Sequence, residues 1–228
     1  PTTTAAPTTT AAPTTTAAFV LPDISYFAEN KSDRFLVNFE DIIAAHPHVG
    51  QRSPVPHNDS QVYFSNSDPR WLNAQRPSDY PPIYAVADGI IHLSDPPNYP
   101  YYNVIDHTNY DPPWWHVGYT ISIRLATDGD VNVHFLYSME PYVNLQDKPI
   151  TFFEDFILVE DYQHVEKGDL LGYMYVSPFS ERLSGPMSPH IAFGLMRDQQ
   201  GTWDVYAPAI FTENIVTQFA DLYRNPSE

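Results

Sequence analysis

The chain has 228 residues, with 28 acidic against 11 basic side chains for a formal net charge of −17 at pH 7, no cysteine, and 14% aromatic content. Phosphate recognition depends on clustered Lys and Arg, so this charge excludes a nucleic-acid partner, and the absence of cysteine excludes both a disulfide framework and a thiolate-held metal. No apolar run approaches the roughly 18 residues of a membrane-spanning helix, which argues against membrane insertion, and a start at Pro1 is expected of either a processed mature product or a trimmed chain.

Residues 1–18 are three copies of Pro-Thr-Thr-Thr-Ala-Ala, uncharged and without a side chain large enough to bury. Such a segment cannot offset its own ordering entropy. Its composition is that of an extended, O-glycosylated stalk, which predicts sugar on Thr2, Thr3, Thr4, Thr8, Thr9, Thr10, Thr14, Thr15 and Thr16. The remainder, 19–228, is long enough for one globular domain with a sizeable core. The apolar run Phe19-Val20-Leu21-Pro22-Asp23-Ile24-Ser25-Tyr26-Phe27 predicts an N-terminal strand within 19–30. That strand either pairs within its own domain or is donated to a neighbouring subunit, and one-way donation repeated builds a fibre.

Further along, His46-Pro47-His48 after Ala44-Ala45 reads as a helix-ending turn. His57 and Asp59, two residues apart, would share one face of a strand. Asn30-Lys31-Ser32 and Asn58-Asp59-Ser60 fit the N-glycosylation pattern. Between 95 and 115, aromatic residues alternate with prolines. Tyr101, Tyr102, Trp114 and Trp115 are candidate ligand-facing rings on stiffened loops, and the competing reading packs the rings back as a satellite core.

Alternation of apolar and polar residues predicts strands over 83–91, 119–125, 131–136, 170–176 and 190–196, with Gly89, Gly129 and Gly168 at turns. Asp128-Gly129-Asp130 has the chemistry of a tight hairpin and lacks the later ligands of a calcium loop. Only 211–223 carries a helical period. The fold expected is all-β and antiparallel, with long loops and one peripheral C-terminal helix.

Four segments in order carry a family resemblance: Pro82-Ile83-Tyr84-Ala85-Val86-Ala87-Asp88-Gly89-Ile90-Ile91, the strand beginning Gly118-Tyr119-Thr120-Ile121, the strand from Val131 to Met139, and Val165-Glu166-Lys167-Gly168-Asp169-Leu170-Leu171-Gly172-Tyr173. They end on Ser188-Pro189-His190-Ile191-Ala192-Phe193, which is similar to the G-P-H-x-H-F strand of lysostaphin-type (murein hydrolase) zinc endopeptidases. The resemblance implies a barrel-sandwich fold with a duplicated hybrid motif. In active members a His-x-x-x-Asp pair and the last His of H-x-H hold zinc, while the first His of H-x-H and a His from the "YaHL" strand activate water.

Here Ala192 stands in place of the last ligand, and a methyl group has no lone pair to give a metal. His190 matches the catalytic, non-ligating histidine, and would be catalytic only in an active protein. His57 and Asp59 are too closely spaced for the His-x-x-x-Asp pair and are metal donors only if a divergent zinc site exists. Tyr137 or Ser138 falls where the "YaHL" histidine belongs, and His134 lies three residues early, on the wrong strand face. The reading is therefore a non-catalytic extracellular or cell-surface protein with no metal or other cofactor, whose partners are copies of itself, as in a surface layer or fibre, or cell-envelope glycan. The alternatives are a zinc-dependent peptidoglycan endopeptidase and a monomeric carbohydrate-binding module.

Overall fold

In the computed structural model, residues 26–46, 60–93, 102–107, 114–128, 131–143, 148, 150–178, 188–199, 202–205 and 210–223 are described. The elements in chain order are α1 (Tyr26–Glu29), β1 (Ala44–His46), β2 (Ser60–Tyr63), α2 (Pro69–Leu72), β3 (Pro82–Tyr84), β4 (Gly89–His92), β5 (Tyr102–His107), β6 (Trp114–Asp128), β7 (Val131–Glu140), β8 (His164–Val165), β9 (Leu170–Tyr173), β10 (His190–Gln199), β11 (Thr202–Val205) and α3 (Glu213–Ala220). The fold is all-β as expected, and its named strand pairings are antiparallel. One sheet runs β1-β2-β10-β7-β6-β4-β8, with β11 on β10 and β5 on β6, and a second pairs β3 with β9.

Alternation decides the faces. Along β7, Val133, Phe135, Tyr137 and Met139 are buried in the core while Leu136, Ser138 and Glu140 lie on the opposite, partly exposed side. On β6, Tyr119, Ile121, Ile123 and Leu125 follow the same rule. Asp128 pairs with Val131, closing the expected two-residue hairpin, although Gly129 itself lies outside the described residues. The core beneath is aromatic: Phe35 meets Phe193 edge-on at 5.6 Å and Phe211 at 5.3 Å, and Phe193 meets Phe219 at 5.5 Å. α3 reaches this cluster because Ile215 and Phe219, four residues apart, share its buried face.

Two buried phenols tie the sheets together. Tyr137 Oη donates to the Tyr84 carbonyl and accepts from the Val86 N–H, both at 3.0 Å. Tyr119 Oη donates to the Tyr173 carbonyl and accepts from the Tyr175 N–H, both at 2.9 Å. Each thus crosses from the large sheet to the ends of β3 or β9. Burial pushes both phenols far above their ordinary range.

Several expectations need correction. Gly89 opens β4 rather than a turn, because a Cβ there would lie 2.4 Å from Ile123 Cγ2 and 2.7 Å from the Arg124 carbonyl oxygen, and only glycine lets β4 and β6 close up. Tyr26–Glu29 is a helical turn, so the strand expected within 19–30 does not extend through it, and 19–25 lie outside the described residues. Across segment 165–173, β8 pairs with β4 and β9 with β3. Gly168, at φ 96°, does make the turn between them. Strand β9 ends at Tyr173, short of 176. The 95–115 insertion, read as loop, contains β5 paired along the first part of β6, so that Tyr102 stands opposite Tyr119, Asp106 opposite Trp115 and His107 opposite Trp114.

Candidate functional site

The H-x-H resemblance places its ligand on β10, and the register there fixes the neighbours. Ala192 pairs with Gln61 on β2 and with Ser138 on β7, and Ser138 pairs with Thr120 on β6. Gln61 also pairs with His46 on β1. Directly paired residues share a face and bring their Cβ atoms within about 5 Å, so one row across the sheet reads His46, Gln61, Ala192, Ser138, Thr120. The next row reads Ala44, Tyr63, His190, Glu140.

Around Ala192 and His190 this face is closed, while His46, Thr120, Ser138 and Glu140 in the same rows are partly exposed. Ala192 is 2% exposed, and Gln61, Tyr63 and His190 are buried. The Tyr63 hydroxyl donates to Gln61 Oε1, which occupies the amide oxygen. His190 lies between two phenol rings, 5.2 Å from Tyr63 and 5.5 Å from Tyr142 between centroids. Its Nδ1 is 3.1 Å from the Ser188 carbonyl oxygen. Its Nε2 is 3.3 Å from Glu140 Oε2, within ion-pair distance though not aligned as a hydrogen bond. Tyr142 holds its place at φ 58°, a left-handed conformation costly for a residue with a Cβ.

This arrangement can orient and pack an imidazole. A general base needs a nitrogen lone pair open to water or substrate, and His190 turns both nitrogens toward protein oxygens inside a closed face. Beside Ala192 the row offers a carboxamide and a hydroxyl, not the His, carboxylate or thiolate donors that zinc takes, and its one imidazole, His46, stands on β1 beyond Gln61. Among the described residues no group of three or more His, Asp or Glu is arranged to hold a metal.

The remaining sequence candidates fall as follows. His57, Asp59, Asn58, Tyr101 and the nine threonines of the repeat lie outside the described residues, while Tyr102, Trp114 and Trp115 have backbone positions on β5 and β6. His46 closes a strand instead of a helix, because β1 finds a partner in β2. His134 is not flipped to the other face as its spacing predicted: it lies on the same face as Ser138 and Ala192, two cross-strand rows further along, where it pairs with Arg124 and Met196 and its Nδ1 is 3.1 Å from Ser122 Oγ. Sequence reasoning missed Gln61, Tyr63, Glu140 and Tyr142. Gln61 and Tyr63 carry a local signal, the alternation of 60–63, but which strand they face depends on a pairing 130 residues away in sequence.

No helix among the described residues is long and apolar enough to cross a membrane. No protein-family model matches the chain, and no curated protein matches it. Among solved structures, the chain is similar to a protein from Ruminococcus gnavus assigned as a glycyl-glycine endopeptidase LytM, at 12% identity and a TM-score of 0.39. The match covers 80% of this chain and 61% of the other, so the chain spans less than two thirds of that protein's length.

Proposed function

We propose that this chain is a non-catalytic extracellular or cell-surface protein, an endopeptidase-like β domain that works by binding or assembly and carries an O-glycosylated Thr-rich arm. The observation that carries the reading is the row around Ala192, where the position expected to hold a metal bears a methyl group between Gln61 and Ser138 on a closed face. The neighbouring His190 supports it, since its ring is spent on Ser188, Glu140 and two tyrosines. Its partners on this reading are further copies of the chain or cell-envelope glycan. With 28 acidic residues against 11 basic, the surface suits neutral or cationic ligands better than anionic ones.

The test is hydrolysis. The full chain, with and without added zinc, is incubated with pentaglycine and with purified peptidoglycan, and release of new amino termini is followed. The reading expects none above the buffer control. Cleavage that a chelator abolishes and zinc restores would overturn it in favour of an endopeptidase using His57, Asp59 and a third donor other than Ala192.

A further inference from the structure

Between α2, the 3-10 turn Pro77–Asp79, the 3-10 helix Ile150–Phe156 and the chain after β9 lies a cavity of about 370 Å³. It shares no lining residue with the Ala192 and His190 rows. Trp71 backs it, but the residue is 7% exposed and its Nε1–H is buried, so no indole donor is offered to a ligand. The aromatic wall is Tyr80, Phe152, Phe156 and Tyr175. Tyr175 lies 5.1 Å from Tyr80, 5.0 Å from Phe152 and 5.5 Å from Phe156, so the rings brace one another as a fixed surface. Phe156 and Tyr175 are buried, whereas Tyr80 and Phe152 keep part of their surface open. Lys148 Nζ already stands 4.7 Å over the Phe152 ring, which leaves Tyr80 as the ring on which a ligand can lie.

The mouth of this cavity is polar, and its charges balance. Gln75, Arg76 and Asp155 are exposed on it. Arg76 donates to Asp79 at 2.9 Å, which offsets its charge and leaves the rest of the guanidinium N–H groups for a ligand. Lys148 and Asp155 offset one another in charge. Donors and an acceptor thus surround one aromatic face with no net charge among them. A hydroxyl both donates and accepts, so it can answer Arg76, Lys148 and Asp155 alike. An anion would meet Asp155, and a cation would meet Arg76 and Lys148.

We infer that this cavity binds adjoining sugar rings of a neutral glycan strand. A pyranose ring presents a flat face of C–H groups and an edge of hydroxyls. Its face matches Tyr80, and its edge matches the mixed donors and acceptor of the mouth. Ligand clefts in general are built this way, with an apolar floor and a few polar groups that fix orientation. The cavity's volume is near the lower end of the roughly 300–1,000 Å³ of such clefts, which suits a short stretch of strand rather than a long one.

Long-range charge favours the same class. A chain of net charge −17 repels an acidic polysaccharide and leaves an uncharged one unaffected. The inference rests on the glycan arm of the function proposed above and gives it a site. Neither Ala192 nor His190 has a part in that site, so the strand would be held without being cut.

The experiment titrates the full chain, produced without sugars of its own, with chitotetraose, cellotetraose, tetragalacturonate and tetraglucosamine in a calorimeter at millimolar sugar. At least one of the two neutral tetramers is expected to bind saturably, more tightly than its own monosaccharide and more tightly than either charged tetramer. Asp155→Ala, a change at an exposed position, is expected to weaken that binding about tenfold through loss of a charge-assisted hydrogen bond. Tyr80→Leu is expected to weaken it several-fold by removing the flat face. Near-ultraviolet circular dichroism checks that each variant is folded. Absence of saturable binding by both neutral tetramers overturns the inference, as does tighter binding of a charged one. Affinity unchanged in Asp155→Ala would put the sugar elsewhere on the molecule, and a monosaccharide bound as tightly as its tetramer would replace the strand by a single sugar. Either result also overturns the inference. None of these outcomes alters the release of amino termini in the hydrolysis test, so the two readings fail separately.

Discussion

Around His190 the imidazole nitrogens face a carbonyl and a carboxylate between two tyrosine rings, whereas around Trp71 a buried indole N–H has no acceptor among the described residues, in a cluster of aromatic rings that lines a cavity. The first region is where the sequence resemblance points for chemistry, and it is closed. The second carries no motif at all, and it is the one with room and an unmet hydrogen bond. In this molecule the capacity to bind has to be read from packing and polar satisfaction, because the motif marks a place whose groups are occupied by one another.

The largest effect is expected from His190→Ala, which removes a ring buried between Tyr63 and Tyr142 and takes the imidazole away from Glu140. A loss of about 3 kcal/mol in denaturant unfolding is predicted. A change below about 1 kcal/mol would mean that this face is looser than its packing indicates.

How much of this was legible in the sequence depends on the range of the interaction. Tyr119, Ile121 and Ile123 on β6 and Val133 and Phe135 on β7 were readable because alternation is a local signal and the hairpin joining them is two residues long. The substitution at Ala192 was readable as missing donor chemistry. Gly89 was misread because a glycine after Asp88 looks like turn chemistry, and only the closeness of Ile123 and the Arg124 carbonyl shows why it sits in a strand. His46-Pro47 suggested a helix end because a short edge strand has no periodicity of its own, and its identity comes from pairing with Gln61 and Val62. The aromatic cavity was invisible, since Trp71, Tyr80, Phe152 and Tyr175 come from segments spread over a hundred residues.

Gly172→Ala comes next. A Cβ there would lie 2.2 Å from the Phe156 carbonyl oxygen, a backbone atom that cannot swing aside. About 3 kcal/mol of destabilisation is expected, with loss of the Tyr80, Phe156 and Tyr175 packing readable by near-ultraviolet circular dichroism. An intact aromatic signal at unchanged stability would show that β9 and the Ile150–Phe156 segment are less closely fitted.

The buried phenols give a smaller, pH-dependent effect. Tyr119 and Tyr137 are raised by burial, so their contribution is fully present below the unfolded tyrosine value of about 10 and is lost as pH rises from there toward their folded values. Stability measured across pH 8 to 12 should be steady at first and then fall. Tyr137→Phe should cost about 1–3 kcal/mol at neutral pH by orphaning the Val86 N–H, and should flatten the alkaline decline. The smallest effect is expected from Trp71→Phe. It removes a donor that has no acceptor among the described residues, and a change of about 1 kcal/mol or less, against the larger loss at His190, is the sharpest form of the contrast between the two regions.

The proposal that the face around Ala192 holds no metal is tested by zinc content measured side by side in two proteins. One is the native chain and the other carries Gln61→His together with Ala192→His, which would line up imidazoles on β1, β2 and β10 with His46. After incubation with excess zinc and removal of loosely held metal, the native chain is predicted to retain no stoichiometric zinc and the double variant to retain it. Stoichiometric zinc on the native chain, insensitive to the identity of residue 192, would contradict the account.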